Sequence, residues 1–91
     1  DLTRDSFADM SDERVVNLLT DIRGVGPWTA KMFLMFGLGR EDVFPVEDLA
    51  IRRGMEELYG ELTRSEMETR AEAWRPHRSL ASLYVWRVAS R

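Results

Sequence analysis

Glycine and proline divide this chain into short segments whose apolar residues recur at helical spacing. The clearest break is Gly24-Val25-Gly26-Pro27, where the glycines permit positive φ and the proline suits the first turn of a new helix. The segment before it begins at Ser11, a good N-cap residue. Its apolar residues follow the i, i+3, i+4, i+7 spacing of one buried helix face, namely Val15, Leu18, Leu19 and Ile22. The pattern predicts two helices joined by a tight turn.

Three further helices are predicted after that pair. The second helix of the pair, from Trp28 to Phe36, is apolar nearly all round, so we expect it to be central. Residues 37–47 are expected to form a loop. The third helix starts near Asp48 and ends at Gly60, and a capping box of Thr63 with Glu66 starts the fourth. The expected inward residues are Ile51, Met55, Leu58 and Tyr59 in the third helix, and Leu80, Leu83 and Tyr84 in the fifth. The fold class is therefore all-α, with about five short helices.

Composition restricts the chemistry. The 91 residues suffice for one small domain, and 44% of them are hydrophobic, as in a folded protein. Cysteine is absent, which excludes disulfides, thiolate metal sites and an iron–sulfur cluster. A single histidine excludes an all-histidine metal site. No apolar run approaches the ~20 residues that span a bilayer, so no membrane partner is expected.

The charge is unevenly distributed. The formal net charge is −3, whereas domains that bind nucleic acid are usually basic. However, residues 23–40 carry three basic and no acidic residues, and residues 75–91 carry four arginines and no acid. These two stretches could face an anionic ligand even though the whole chain is acidic.

The glycine turn has the chemistry of a phosphate site. It presents the backbone N–H groups of Gly24, Gly26 and Trp28 near a helix N-terminus, beside Arg23 and Lys31. The alternative is an ordinary turn between two helices, which the two glycines alone would equally support.

Three blocks of sequence together resemble one family. They are LTDIRGVGPWTA (residues 19–30), DVFPVED (residues 42–48) and WRPHRSLA (residues 74–81), the last followed by Tyr84-Val85-Trp86. In this order and spacing they are similar to the helix-hairpin-helix DNA glycosylases, of the 3-methyladenine DNA glycosylase II (AlkA) type. The resemblance runs from about residue 11 to residue 87, with the hairpin motif at about residues 12–36. It implies that residues 1–91 are the C-terminal portion of a larger helical glycosylase domain.

The resemblance implies that Asp48 is the catalytic residue. Breaking an N-glycosidic bond builds positive charge on the deoxyribose, and a fixed carboxylate beside it lowers the barrier. Asp48 is also a predicted N-cap that accepts an N–H from about Ile51, which would keep the carboxylate ionised. Glu47 is the alternative, although one helical residue turns its side chain by about 100°.

Two tryptophans match aromatic residues of the family's base pocket. By this resemblance Trp28 and Trp86 would stack on an extruded alkylated base, and Ser79 and Ser82 would leave room beside Trp86. The alternative is that both tryptophans belong to the hydrophobic core. Trp28 also stands where bifunctional relatives have a lysine, while Lys31 does not match that position. This implies a monofunctional enzyme, because no imine can form without an amine nucleophile.

The remaining expectations also come from the resemblance. The partner is double-stranded DNA containing alkylated bases, and the location is cytoplasmic or nucleoid. No cofactor is required, although the carbonyls of Thr20, Ile22 and Val25 could hold a monovalent cation at the hairpin. A missing N-terminal part of the domain would complete the cleft, so the isolated chain is expected to be inactive. The alternative function is a non-catalytic helix-hairpin-helix module that binds only the DNA backbone.

Overall fold

A computed structural model describes residues 4–91. These residues form six α-helices, with a π-helical turn after the third and a 3-10 turn after the fifth, and they contain no β-strand. The helices are α1 (Arg4–Phe7), α2 (Asp12–Thr20), α3 (Pro27–Met32), α4 (Leu49–Tyr59), α5 (Arg64–Ala71) and α6 (Arg78–Ala89). The predicted all-α class and the five predicted helices are confirmed, and α1 is additional.

The helix ends have the predicted local chemistry. Ser11 Oγ accepts a hydrogen bond of 3.1 Å from the N–H of Arg14 at the start of α2. Thr63 and Glu66 form the reciprocal capping box of α5, with bonds of 3.1 and 2.8 Å. Gly24 has φ +87, which favours glycine, whereas Gly26 has φ −96 and is the extended N-cap of α3. Only one of the two hairpin glycines therefore uses positive φ.

The described residues form two compact units, one that ends at Arg40 and one that comprises residues 41–91. In the first unit, α2 and α3 bury Val15, Leu19 and Ala30, and the π turn from Phe33 to Gly37 buries Leu34 and Met35. Arg40 stabilises the unit by donating to the carbonyls of Phe7 and Met10 and to the carboxylate of Asp12, at 2.7–2.9 Å.

Some predicted inward residues of the first unit are exposed. Leu18 and Ile22 are each more than two-fifths exposed; α2 ends at Thr20, so Ile22 lies in the turn and no longer follows the helical period. The expectation that the whole segment Trp28–Phe36 is central is wrong at both ends, since Trp28 and Phe36 are exposed. At Phe36 the π turn, closed by a bond from the N–H of Leu38 to the carbonyl of Phe33, changes which side chains face inward.

The second unit has its own core between α4, α5 and α6. The core residues are Phe44, Val46, Ile51, Met55, Met67, Ala71 and Val85, with Leu58, Leu62, Trp74 and Trp86 packed against them. The segment Val43–Val46 is buried although it is a loop. Tyr59 is exposed, contrary to the prediction, and the guanidinium of Arg70 lies 4.3 Å from the centre of its ring.

The buried face of α6 differs from the predicted one. Leu80, Leu83 and Tyr84 are 69%, 49% and 56% exposed, while Ser82, Val85 and Val88 face the core. Apolar residues surround α6 nearly uniformly, so hydropathy does not select a face. The packing of α4 against Val85 decides it instead, since a Cβ on Gly54 would lie 2.4 Å from the Val85 carbonyl oxygen.

Candidate functional site

Asp48 caps α4, as predicted. Its backbone is extended, with φ −80 and ψ 128, and its Oδ2 accepts a hydrogen bond of 3.0 Å from the N–H of Ile51. The N–H of Asp48 donates to the carbonyl of Pro45 over 2.9 Å, so a turn places the residue before the helix begins. Asp48 rather than Glu47 performs this role. An N-terminal cap is a favourable place for an ionised carboxylate because the helix dipole is positive there.

Trp86 reaches the same carboxylate from α6. Its indole Nε1 donates a hydrogen bond of 2.7 Å to Oδ2 of Asp48, across 38 positions of sequence. Trp86 is half-buried and packs against the core of the second unit. Two N–H donors therefore converge on one oxygen of Asp48, which stabilises the charged form and restricts its rotation. The sequence predicts both as site residues, but it does not predict the hydrogen bond between them.

The loop before Asp48 is held by the start of α6. Arg78 donates from Nε and from its backbone N–H to Oδ1 of Asp42, at 2.8 and 3.2 Å, and Arg75 donates to Oδ2 at 3.0 Å. The hydrogen bonds from Arg78, that of its side chain foremost, and the positive charges of Arg78 and Arg75 hold the pKa of Asp42 below its usual value of 3.8. Sequence reasoning missed this function of Asp42, because the ion pair joins residues 36 positions apart.

Ser79 and Ser82 also bind this loop. Ser79 Oγ accepts a bond of 3.0 Å from the N–H of Val43, and Ser82 Oγ donates to the carbonyl of Arg78 over 2.7 Å and lies 3.4 Å from that of Val43. Their predicted contribution was space beside Trp86. The contacts show that their hydroxyl groups form hydrogen bonds with backbone groups of the loop and of α6.

The hairpin lies in the first unit. The described residues provide no backbone acceptor for the N–H groups of Gly24 and Gly26, and a Cβ on either glycine would meet no atom within 4 Å. Trp28, on the first turn of α3, is 47% exposed and is therefore not a core residue. The carbonyl of Ile22 accepts a bond of 3.1 Å from the N–H of Val25 within the turn.

The structure thus brings together Asp48 and Trp86 in the second unit. The hairpin residues Thr20, Ile22, Gly24, Val25, Gly26 and Trp28 lie in the first unit. Within residues 4–91 no three carboxylate or histidine side chains are close enough to hold a metal ion, and no helix is long and apolar enough to cross a membrane. A separate groove of about 710 Å³, lined by Trp74, Leu80, Leu83 and Tyr84 among others, includes neither Asp48 nor Trp86.

The chain combines an all-helical fold, a capping aspartate bonded to a tryptophan and a glycine hairpin, and proteins named as DNA glycosylases are among its relatives. It is similar to a Bacillus subtilis protein whose name marks it as a candidate DNA-3-methyladenine glycosylase, with 40% identity over 81 residues, covering 86% of this chain and 28% of that protein. It is 34% identical over 90 residues to DNA-3-methyladenine glycosylase 1 of Schizosaccharomyces pombe, covering 96% of this chain and 40% of that protein. No protein-family model matches the chain.

A solved structure supports the same relationship. The 3-methyladenine DNA glycosylase of Schizosaccharomyces pombe in complex with abasic DNA aligns with a TM-score of 0.89 at 33% identity, over 97% of this chain and 44% of that one. The predicted resemblance is confirmed: the chain is homologous to the DNA-3-methyladenine glycosylases over most of its length. It spans 28% and 40% of the two curated relatives described above.

Proposed function

We propose that this chain supplies the catalytic carboxylate and the DNA-binding hairpin of a base-excision repair glycosylase that removes alkylated purines. The observation that carries the proposal is the carboxylate of Asp48, held at the start of α4 by the N–H groups of Ile51 and Trp86. A module that only binds the DNA backbone does not require a carboxylate fixed by two donors. The homology to proteins named as DNA-3-methyladenine glycosylases points to the same substrate class.

The proposed chemistry is hydrolysis of the N-glycosidic bond. A purine alkylated at N3 or N7 is positively charged, so it leaves as a neutral base when the bond electrons move onto it. Positive charge then develops on the deoxyribose, where the Asp48 carboxylate stabilises it. Water adds to the anomeric carbon, its proton passes to solvent, and an abasic site remains.

The proposed enzyme is monofunctional. Strand cleavage by a bifunctional glycosylase needs an amine that forms an imine with the sugar. The residue after Pro27 is Trp28, and the nearest amine, Lys31, lies three residues further along α3. Trp28 is exposed at the start of α3 and Trp86 is half-buried beside Asp48, so an extruded base could stack on either indole ring.

The hairpin is proposed to bind DNA phosphate. The N–H groups of Gly24 and Gly26 are available as donors, and the absence of a Cβ lets a phosphate approach the backbone. The carbonyl of Thr20 lies at the end of α2, where helix carbonyls lack intrahelical partners, and those of Ile22 and Val25 lie in the turn after it, where that of Ile22 also accepts from the N–H of Val25. Neutral carbonyl oxygens are suitable ligands for a monovalent cation, which would add positive charge between the hairpin and a phosphate.

The test is a transplant into a relative. The segment of the Schizosaccharomyces pombe DNA-3-methyladenine glycosylase 1 that matches this chain is replaced by residues 1–91, and release of 3-methyladenine from methylated DNA is measured. We expect base release by the hybrid, its loss in Asp48→Asn and its retention in Glu47→Gln. A folded hybrid that binds abasic DNA but releases no base would instead favour the backbone-binding module.

A further inference from the structure

The indole N–H of Trp86 has a function distinct from the stacking face of its ring. We propose that Trp86 is a positioning residue for Asp48, and that the close crossing of α4 and α6 at Gly54 sets the reach of its hydrogen bond. As far as catalysis is concerned, this inference rests on the proposed function. The bond itself, and the test of it, do not depend on any activity.

The two donors constrain the carboxylate in different directions. The N–H of Ile51 comes from within α4, three residues after Asp48, and the indole N–H comes from the neighbouring helix α6. Rotation of the carboxylate would lengthen at least one of these bonds. A cap alone would fix the carboxylate to its own helix, whereas the indole fixes it relative to a second element.

Gly54 explains how the indole reaches Asp48. A Cβ at this position would lie 2.4 Å from the carbonyl oxygen and 2.5 Å from Cγ1 of Val85, the residue that precedes Trp86. Any side chain at residue 54 would therefore displace α6 next to the tryptophan. A hydrogen bond tolerates only a few tenths of an ångström of added length before it weakens, so the Trp86–Asp48 bond depends on this glycine.

The first experiment uses the 91-residue chain and the indole N–H resonances of its three tryptophans. We expect the Trp86 proton to lie downfield of that of Trp74 and to exchange with water more slowly than the indole proton of free N-acetyltryptophanamide. Asp48→Ser keeps an N-cap but shortens the side chain, so it should move the Trp86 resonance and leave Trp74 nearly unchanged. Asp48→Asn, which keeps the side-chain length but removes the charge, should shift the Trp86 proton less.

Two outcomes would overturn the proposal. One is a Trp86 proton that in the unaltered chain exchanges as fast as the indole proton of free N-acetyltryptophanamide, a measurement that needs no variant. The other is an equal displacement of Trp86 and Trp74 in Asp48→Ser. Gly54→Ala should shift the Trp86 resonance in the same direction as Asp48→Ser, and an unchanged Trp86 resonance in a folded Gly54→Ala chain would remove Gly54 from the proposal.

The second experiment separates the N–H from the ring in the hybrid glycosylase. Trp86→Phe keeps an aromatic face and loses the donor, and Trp74→Phe is the matched control because Trp74 packs on Phe44 in the same core. Loss of one charge-assisted bond should lower kcat about 10- to 100-fold with little change in KM. A rise in KM alone would assign only stacking to Trp86. An inactive unaltered hybrid would count against the proposed function and leave the indole resonances as the test of the bond.

Discussion

Arg78 binds the carboxylate of Asp42 through both its side chain and its backbone, with Nε 2.8 Å and the backbone N 3.2 Å from Oδ1. Arg78 is the first residue of α6, and Asp42 lies in the loop that leads to Asp48. The pair therefore joins the loop that positions Asp48 to the helix that carries Trp86. Such a bond contributes to stability only while the carboxylate is charged.

Asp42→Asn should therefore destabilise the chain in a pH-dependent way. The pKa of Asp42 is lowered in the folded state by the Arg78 hydrogen bonds, so the stabilisation is present above the unfolded value of 3.8 and is lost as the pH falls through the folded value. At pH 7 we expect the free energy of unfolding to fall by about 1–3 kcal/mol. Urea unfolding of both chains at neutral pH and over a series of pH values falling through the lowered pKa of Asp42 measures the difference, and a difference that does not shrink towards the acidic end would contradict the assignment.

Asp48→Asn should reduce base release by about two to four orders of magnitude in the hybrid glycosylase, because one preorganised charge near the sugar is removed. Asparagine is also a good N-cap, so helical content should be retained by circular dichroism. Binding to abasic DNA should persist. Neither protein should cut the strand, and a product trapped by borohydride would contradict the monofunctional proposal.

Gly26→Ala should weaken binding to damaged and undamaged DNA by similar factors. The added Cβ meets no protein atom within 4 Å and φ is −96, so the fold itself should tolerate it, whereas the methyl group would obstruct a phosphate. Phosphate contacts carry no base information, so lesion preference should not change. Fluorescence anisotropy with methylated and unmodified duplexes tests this. Changed preference at unchanged affinity would show that the hairpin does not bind phosphate.

Gly54→Ala should destabilise the chain by about 1–3 kcal/mol, because the added methyl group overlaps the Val85 carbonyl oxygen in a packed core. Alanine is the better helix former by about 1 kcal/mol, so the net loss understates the cost of the helix contact by about that amount. Gly26→Ala is a control for an added methyl group that meets open space, at the N-cap of α3 rather than inside a helix. Equal midpoints of thermal unfolding for Gly54→Ala and the unaltered chain would show that α4 and α6 can separate without cost.

Val85→Ala should destabilise the chain more than Leu83→Ala, although leucine is the larger side chain. Val85 is 1% exposed and Leu83 is 49% exposed, so truncating the smaller residue should cost about 1–3 kcal/mol and truncating the larger one less than about 1 kcal/mol. Denaturant unfolding of both variants measures this. A larger loss of stability in Leu83→Ala would support the inward face of α6 predicted from the sequence.

Local features of this chain are determined by its sequence alone. The caps at Ser11, Asp48 and Thr63 and the turn at Gly24 form as predicted, because each depends on residues within three or four positions. The family resemblance was likewise readable, since it is carried by short blocks of sequence. These features include Asp48 itself and its bond to the N–H of Ile51.

Only the tertiary structure decides what joins these elements. Hydropathy placed Leu80, Leu83 and Tyr84 inside, yet α6 turns Ser82, Val85 and Val88 to the core, because the fit of Gly54 against Val85 selects its face. The same crossing brings the indole of Trp86 to Asp48, and the Asp42–Arg78 pair holds the loop between them. These contacts join residues more than 30 positions apart. Helical periodicity orders neighbours along one helix and carries no information about which helix packs against it.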